Sequence, residues 1–478
     1  MQIKMFSSKT NPKPRRLNPM GWILLWPALL LLSCASGPQP QRSGYGKILF
    51  APGSISEPGS LLEFEVQKTI PSMKVRLMLV AASPWLVGTQ VKMNVLQEEG
   101  YADWYKSRAG TLSDIQPVRI AFTARLPEGG CERQSGTIFV PVRRSNQTCT
   151  LTWLVFAKGT ELRRDFTPSR GKGRELPVIE AAASLGYAVW VPDYSGMGDG
   201  QGTHKYCVVE SLADSTLDGL AAARQWLGMA TSMDGQAYRE SGRLAIIGYS
   251  EGGLAAMGSL MAISDGRIRT PGLSLESVYP MGAPLNLILG VSDLGEEPLV
   301  LSHPEYMIFL ALGWSQAYPE EVRLSDIFLP RTIDKILPLF DGTRSDEDLN
   351  RHIPAALGKK AGAVTDADIF TQEYLSALRR DPQSNTYARL QGEARLDQWT
   401  PPTGVPIILA ATPTDDTVPF ANSQNEFDWA VQNAPAADVS LVRLASSGHI
   451  SAGIEAFLYA IVDLDKREAM AIAFGSEG

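Results

Sequence analysis

Histidine and cysteine are scarce in this chain, with four of each among 478 residues. No spacing of the two suggests a metal site, and we expect neither a bound metal nor a cofactor. A dinucleotide is excluded separately, because no G-x-G-x-x-G motif falls between a first strand and its helix. The N-terminal apolar run from Gly21 to Leu32 has only twelve residues, too few to span a bilayer comfortably.

Positive charge is also in deficit. The chain has 44 basic and 51 acidic residues, which give a net charge of −7. Residues 1–33 hold five of the basic residues and no acidic one, so the chain without them has a net charge of −12. This acidity argues against nucleic-acid binding and against a polybasic membrane patch. With 44% apolar and 20% charged residues, the composition is that of a globular protein with a large core in one or two domains.

The N-terminus has the order of an export signal. Basic residues precede the apolar run, which ends in the motif Leu-Leu-Ser-Cys at Cys34. This ending resembles a bacterial lipobox, so we expect 1–33 to be a lipoprotein signal peptide and Cys34 to carry the lipid. Residues 34–60, rich in Pro, Gly and Ser, then form a flexible tether to a membrane of the bacterial cell envelope, the outer membrane in a Gram-negative cell. The alternative is an ordinary secretory signal cleaved after Ser33 or Ser36.

Two of the other cysteines flank a predicted strand. Cys131 precedes and Cys149 follows the β-rich run 135–142. In an exported protein these two are candidates for a disulfide, with Cys207 left over. Three reduced thiols are an equally compatible alternative.

From about residue 115 onward, β-rich runs alternate with helical patterns. This alternation predicts an α/β fold, a doubly wound and mostly parallel sheet with helices on both faces. The predicted strands lie at 151–156, 188–191, 243–249, 277–280, 405–411 and 439–444. The predicted helices lie at 176–184, 211–227, 251–263, 421–432 and 452–463.

The alternation breaks between about 296 and 395, where helical patterns occur without clear strands. We interpret 296–395 as a cap inserted into the core, rather than as a separate domain, because the alternation resumes at 405. The core then consists of 61–295 and 396–478, with an N-terminal extension at 61–114 that either lengthens the core or wraps around it. Ligands of such sheets bind beyond the carboxyl ends of the strands, so a cap there would wall the pocket.

One serine stands in the sequence context of a nucleophile. Ser250 lies in Gly-Tyr-Ser-Glu-Gly at 248–252, directly after the apolar run 243–247. A serine hydroxyl attacks only if a base takes its proton and the backbone presents its oxygen clear of the strand. The G-x-S-x-G turn between strand and helix meets the second need, because its glycines let the backbones pass closely. We therefore predict Ser250 to be a nucleophile.

A serine nucleophile also needs a base. Of the four histidines, His204 precedes the serine, and His303 and His352 lie in the predicted insertion. His449 follows the last predicted strand, on a loop with a glycine before it, where it can reach over the sheet edge. Position and elimination make His449 the predicted base.

An acid should orient that base from a position between the serine and the histidine. The loop after the predicted strand 405–411 contains Asp415 and Asp416. Neighbouring side chains diverge, so only one of the two can hold the imidazole. The other is expected to be a helix-terminal or solvated charge.

The chain order Ser, Asp, His resembles that of the α/β-hydrolase fold. The motif Asp-x-x-Val-Pro is similar to the acid loop common in that superfamily, which implies that Asp415 is the acid. Further motifs resemble the secretory lipase family, which includes lipases of the Candida antarctica lipase A type. They lie at 158–160, 164–169, 193–198, 204–206 and 418–423. The resemblance covers about residues 115–460, and the predicted insertion matches the cap of such lipases.

The resemblance also implies an oxyanion hole of two main-chain N–H groups. One belongs to Glu251, the residue after the nucleophile, and the other to Thr160 or Gly159. The family commonly has a histidine before this glycine, where the present chain has Lys158, which we expect to be a solvated loop charge. The Glu251 side chain either tunes the site or simply opens a helix, and His204 is expected to be a structural, hydrogen-bonded histidine.

Together these residues predict a serine hydrolase that cleaves carboxylic esters through an acyl-enzyme, as lipases and esterases do. The expected partners are a small ester or lipid substrate and, through the anchor, a membrane; the oligomeric state stays open. Two alternatives also stay open. The same triad serves an acyltransferase or a peptidase, and a non-catalytic envelope lipoprotein could bind its ligand in a hydrolase pocket, which Lys158 favours.

Overall fold

The computed structural model describes residues 57–77, 101–108, 110–142, 148–233, 238–289 and 298–475. The predicted signal peptide, the predicted lipid site Cys34 and nearly all of the predicted tether lie outside the described residues. Within those ranges, no helix combines the length and the apolar character that a bilayer crossing requires.

The described strands form one mixed sheet. They are β1 (Leu61–Val66), β2 (Asp114–Arg125), β3 (Cys131–Val142), β4 (Cys149–Ala157), β5 (Ala188–Pro192), β6 (Tyr238–Tyr249), β7 (Ser274–Met281), β8 (Ile407–Ala411) and β9 (Val439–Arg443). Their order across the sheet is β1-β2-β3-β5-β4-β6-β7-β8-β9. The first three strands pair antiparallel, and β5, β4 and β6 to β9 run parallel to one another. The predicted mostly parallel sheet is confirmed.

Helices cover both faces of this sheet. Successive residues of a strand point to opposite sides, so a strand made of apolar residues has two apolar faces to bury. The helices are α1 (Tyr101–Arg108), α2 (Leu176–Leu185), α3 (Val209–Met233), α4 (Glu251–Ser264), α5 (Pro304–Ala317), α6 (Pro330–Lys335), α7 (Asp346–Ala356), α8 (Gln372–Arg380), α9 (Thr386–Glu393), α10 (Ala421–Asn433) and α11 (His449–Gly475). In β4, Trp153 and Val155 join the apolar cluster under α3 and α4, whereas Leu154 and Phe156 join the cluster under α2 and α11.

The N-terminal extension lengthens the sheet where the structure describes it. β1 pairs antiparallel with β2 at the edge, with Phe64 opposite Ile120. Phe64 is buried and its ring packs edge-on against Trp226 of α3, with the centroids 6.5 Å apart. Of the two possibilities for this segment, extension of the core therefore holds for β1.

The stretch between β7 and β8 is helical, as expected. Residues 298–395 contain α5 to α9 and no strand in the described chain. Buried side chains of this stretch, such as Phe309 and Trp314, belong to the same apolar cluster as Leu254 of α4. The insertion thus shares a core with one face of the sheet, while its assignment as a cap with boundaries at 296 and 395 stays a prediction.

The strand directions argue against the candidate disulfide between Cys131 and Cys149. Each cysteine is the first residue of its strand, β3 or β4. Because β3 runs antiparallel to β5 and β5 runs parallel to β4, the two strands begin at opposite ends of the sheet. A disulfide, in contrast, requires two Cα atoms that lie close together. Cys207 is buried with its thiol reduced.

Candidate active site

The predicted nucleophile stands at a sharp corner of the chain. Ser250 lies between the last residue of β6 and the first residue of α4, with φ 60° and ψ −125°. This conformation is costly for a residue other than glycine, and such strain collects at functional sites. The glycines of the turn are needed for close contact, since a Cβ atom at Gly248 would lie 2.0 Å from the Gly252 oxygen, and one at Gly252 would lie 2.0 Å from the Ala157 oxygen.

The predicted base and acid are in contact. Nδ1 of His449, the first residue of α11, lies 2.7 Å from Oδ2 of Asp415 in the loop after β8. The two side chains are only 8% and 1% exposed. The other carboxylate oxygen of Asp415 accepts the N–H groups of Thr417 and Val418 at 2.9 and 2.8 Å. Because the carboxylate holds Nδ1 as the donor, Nε2 of His449 has its lone pair available for a proton.

Tyr249 connects this pair to the nucleophile. It directly precedes Ser250, its hydroxyl donates to the carbonyl oxygen of His449 at 2.8 Å, and its ring centroid lies 4.8 Å from that of the imidazole. Burial, and then the nearby Asp415 carboxylate, raise the pKa of the Tyr249 hydroxyl far above its usual value, so it stays a donor. Sequence reasoning missed this role, because the second position of G-x-S-x-G carries no signal of its own.

Asp416 supports the backbone of the base. Its Oδ1 accepts the N–H group of His449 at 3.0 Å, so its carboxylate lies at the N-terminus of α11. A negative charge is stabilised at that end of a helix. Partial burial raises the pKa of Asp416, but the hydrogen bond from His449 N–H and further hydrogen bonds lower it more, and the net direction is down. The helix-terminal alternative therefore describes Asp416.

The loop after β4 packs on the nucleophile turn. The Gly159 N–H group donates to Oε1 of Glu175 at 3.0 Å and is thereby occupied. The N–H groups of Thr160 and Glu251 donate to no acceptor in the described chain. Of the two candidates in this loop, the hydrogen bonding favours Thr160 as an oxyanion donor.

The side chain of Glu251 points into the protein. Its Oε1 lies 2.7 Å from Nε2 of His204, and these side chains are 0% and 1% exposed. Nδ1 of His204 donates to the carbonyl oxygen of Ser195 at 2.9 Å. His204 is thus the structural, hydrogen-bonded histidine that was expected. Its pairing with Glu251 was not predicted from the sequence.

Lys158 is buried, and its prediction as a solvated loop charge is wrong. Only 3% of the residue is exposed, and its Nζ lies 4.5 Å over the ring centroid of Tyr194. The Tyr194 hydroxyl in turn donates to the Lys158 carbonyl oxygen at 3.0 Å. Within the described part of the chain the ammonium has no hydrogen-bond partner; it faces the ring of Tyr194, and its charge also acts on the buried Asp193 carboxylate.

Comparison with known proteins agrees with this geometry. Residues 170–273, which include the turn at Ser250, match the model of the secretory lipase family. The rice cell wall degrading esterase LipA from Xanthomonas oryzae is 20% identical, with a TM-score of 0.62 over 87% of this chain and 97% of that one. A Legionella pneumophila protein provisionally described as a hydrolase is also 20% identical, with a TM-score of 0.65 over 85% and 97%. Candida antarctica lipase A is 12% identical, with a TM-score of 0.54 over 87% and 84%.

This chain has the α/β-hydrolase fold. The family match confirms the predicted resemblance to secretory lipases over residues 170–273, and it agrees with the predicted class, a serine hydrolase of the lipase and esterase type. No curated protein sequence matches the chain significantly.

A small groove lies between the core and the insertion. Its cavity volume is about 80 Å³, and it is open to solvent. Leu162 and Arg164 line it from the core, and Phe340 and Arg344 line it from the insertion, so its walls are both apolar and charged. His204 also borders the groove, which therefore reaches the residue that contacts Glu251.

Proposed function

We propose that this α/β-hydrolase cleaves carboxylic esters with Ser250, His449 and Asp415 as its catalytic triad. The Ser250 hydroxyl attacks the ester carbonyl while Nε2 of His449 takes its proton, and the Asp415 carboxylate stabilises the resulting imidazolium. The tetrahedral oxyanion accepts hydrogen bonds from the N–H groups of Thr160 and Glu251. Collapse of this intermediate expels the alkoxide, which takes the proton from His449 and leaves as the alcohol.

The acyl-enzyme is then hydrolysed by the same groups. His449 takes a proton from water, the hydroxide attacks the acyl carbonyl, and the C–O bond to Ser250 breaks as His449 returns the proton to the serine oxygen. The products are a carboxylic acid and an alcohol. These steps balance with water as the only co-reactant.

The observation that carries the proposal is the buried 2.7 Å contact between His449 and Asp415 beside the strained serine turn. A solvated histidine–aspartate pair would be an ordinary surface contact. Here, in contrast, the carboxylate is held by two backbone N–H groups, and Tyr249 connects the histidine to the residue next to Ser250. We infer from this arrangement that the imidazole serves the neighbouring serine and does not only stabilise a loop.

The test is the hydrolysis of a series of p-nitrophenyl esters by a chain that starts at Ala35. We expect turnover that falls by about a thousandfold or more in Ser250→Ala and labelling of Ser250 by a fluorophosphonate probe. The matched control is Ser259→Ala, because Ser259 is a buried serine of α4, the helix that follows Ser250, and its hydroxyl donates to the Ala255 carbonyl at 2.7 Å. Full activity in Ser250→Ala would contradict the proposal, and faster turnover of amides than of esters would indicate a peptidase.

The substrate class that we propose is a small ester or a lipid with an apolar acyl chain. Support comes from the match of residues 170–273 to the secretory lipase family. In this proposal the insertion at 296–395 is the cap that walls the pocket. A profile of kcat/KM against acyl chain length measures the preference.

Export agrees with the match to a secretory family. We propose in addition that Cys34 carries a lipid that anchors the protein to a membrane of the cell envelope. The full chain is then expected in the membrane fraction of the producing cells, and Cys34→Ala in the soluble fraction. Equal partition of the two proteins would exclude the anchor.

A further inference from the structure

One loop contacts the side chains of both residues that are proposed to supply the oxyanion N–H groups. We call residues 204–207, which connect the turn after β5 to α3, the anchor loop. Through its side chains it reaches Glu251 at the start of α4 and Thr160 after β4. The triad does not require either contact, which indicates that the two contacts have a different function.

The first contact joins His204 to Glu251. Nε2 of the imidazole lies 2.7 Å from Oε1 of the carboxyl group, and the Cys207 N–H group donates to the same oxygen at 3.4 Å. The ring itself is fixed on its other side, since Nδ1 donates to the Ser195 carbonyl and the ring plane stacks on Tyr194 within 5° of parallel. A fully buried side chain held at both ends fixes the first residue of α4, which carries the oxyanion N–H.

The second contact joins Tyr206 to Thr160. The tyrosine hydroxyl lies 3.2 Å from Oγ1 of the threonine, and the tyrosine is buried. This contact ties the loop after β4 to the same anchor loop. The two proposed oxyanion residues come from separate elements, so a common support is what keeps their N–H groups at a constant separation.

The anchor loop is itself rigidly held. Cys207 adopts φ 53°, and the Tyr206 N–H group donates to the His204 carbonyl at 2.8 Å. Helix α5 of the insertion packs directly on it, because a Cβ atom at Gly313 would lie 2.4 Å from the Tyr206 nitrogen. The ring of Phe309 adds contacts to His204 and Tyr206, with centroid distances of 5.9 and 5.0 Å. The support of the oxyanion donors therefore extends into the insertion.

From these contacts we propose that His204 and Tyr206 are positioning residues that hold the Glu251 and Thr160 N–H groups in the geometry of the oxyanion. The inference rests on the proposed ester hydrolysis and concerns the same site. Oxyanion donors act at 2.7–3.1 Å from the developing charge, so a displacement of a few tenths of an ångström lowers the rate. Substrate binding in the ground state does not depend on this geometry to the same degree.

The test compares kcat and KM for Glu251→Ala, His204→Ala and the double variant on a p-nitrophenyl ester. Loss of one oxyanion donor costs about 100- to 1000-fold in kcat, so we expect a smaller loss of about 10- to 30-fold from loosening one, with KM changed less than about threefold. The double variant should lose no more than the larger single loss, because both substitutions remove the same contact. Additive losses would show that the two side chains act separately.

Glu251→Gln is the conservative variant. With Nδ1 of His204 donating to Ser195, the neutral imidazole accepts at Nε2, and the glutamine amide is able to donate to it. We expect kcat within about threefold of the unchanged protein. A loss as large as that of Glu251→Ala would overturn the positioning role of the hydrogen bond and assign the effect to the charge.

The second pair is tested with Tyr206→Phe and Thr160→Val, which keep the ring and the backbone N–H and remove only the hydroxyl groups. We expect each, and their combination, to lower kcat about three- to fivefold, as one neutral hydrogen bond would. The affinity of a trifluoromethyl ketone, whose serine adduct places an oxyanion in the hole, should fall in parallel with kcat for all variants. Unchanged inhibitor affinity in the slow variants would contradict the proposal.

A purely structural effect is separated by a matched control. Glu305 of α5 is also a buried glutamate that contacts a histidine, with Nδ1 of His303 at 3.0 Å from its Oε1. Glu305→Ala should lower the melting temperature as Glu251→Ala does, but leave kcat per active site unchanged, with active sites counted by the amplitude of fluorophosphonate labelling. If the wild-type protein is inactive, the proposed ester hydrolysis is wrong. If the wild-type protein is active and the anchor-loop variants have the same kcat, only the positioning role is wrong.

Discussion

At the scale of single residues, a tyrosine hydroxyl connects the proposed base to the nucleophile turn. The hydroxyl of Tyr249 donates to the carbonyl of His449, whose N–H group is held by Asp416 and whose ring is held by Asp415. The histidine is therefore held at its ring, at its backbone N–H group and at its backbone carbonyl. A base fixed in this way loses little conformational freedom when it takes the serine proton.

Tyr249→Phe removes this hydroxyl and keeps the ring against the imidazole. We expect kcat for a p-nitrophenyl ester to fall about three- to tenfold and the free energy of unfolding to fall by about 1 kcal/mol, the net value of one hydrogen bond. The control is Tyr238→Phe at the other end of β6, where a tyrosine hydroxyl donates to the Pro141 carbonyl at 3.3 Å. It should cost stability without changing kcat, and an equal loss of kcat in both variants would contradict the role of Tyr249.

Single side chains are also where sequence reasoning was weakest. Ser250 was predicted because its neighbouring glycines report a local backbone requirement. Lys158 was expected in solvent, since nothing near it in the sequence indicates that Tyr194 covers it from 36 positions away. Burial of one loop side chain is decided by tertiary packing, which local patterns do not contain.

At the scale of elements, periodicity predicted the strands and helices well. The predicted strand 188–191 is observed as Ala188–Pro192, and the predicted helix 251–263 as Glu251–Ser264. The observed and predicted bounds differ at the ends of the elements, where propensity is a weak guide. Strand direction was not predictable in the same way, so the sequence alone could not indicate that Cys131 and Cys149 begin strands that start at opposite ends of the sheet.

An ion pair between elements fastens the insertion to the core. Arg174, just before α2, donates to both carboxylate oxygens of Asp346 at the start of α7, at 3.1 and 2.5 Å. The Tyr306 hydroxyl of α5 donates to the same carboxylate at 3.0 Å. Burial alone would raise the pKa of Asp346, but the hydrogen bonds from Arg174 and its positive charge hold it well below its usual range.

Arg174→Met breaks this bidentate pair and leaves the carboxylate without its cation. Because the two side chains are only 26% and 13% exposed, we expect a loss of about 2 to 3 kcal/mol in the free energy of unfolding, somewhat below the cost for a fully buried pair. Faster limited proteolysis within 304–393 should accompany it. Arg389→Met, which removes a more exposed pair with Glu393 inside α9, should change the unfolding free energy by less than about 0.5 kcal/mol.

At the scale of the whole molecule, core and insertion meet again where the chain returns to the sheet. Asp397 lies in the return segment and accepts hydrogen bonds from Asn286 after β7 and Asn425 of α10, at 3.1 and 3.3 Å. Asn422 of α10 also accepts the Asn286 N–H group at 2.7 Å. The segment after β7, the segment that returns to the sheet and helix α10 thus share one polar network. We therefore expect the insertion and the core to unfold together.

Glu426 of α10 is buried beside this network. Burial, with Asp397 as a further nearby charge, raises the pKa of Glu426 to about 9. The folded protein therefore keeps this proton to about pH 9, whereas the unfolded chain releases it near its ordinary value of about 4.3. Between these values unfolding releases a proton, so the contribution of Glu426 to stability falls as the pH rises, by up to about 1.4 kcal/mol per pH unit.

Glu426→Gln cannot ionise and should remove this dependence. Urea unfolding at pH 5, 6.5 and 8 measures the free energy of unfolding of the variant and of the wild-type protein. We expect the difference between them to change by about a few kcal/mol in favour of the variant from pH 5 to pH 8. Glu373→Gln, at an exposed position of α8, should show no such gain. If the Glu426→Gln difference is constant over this range, the carboxyl group is ionised in the folded protein, and the polar network rather than bulk burial sets its charge.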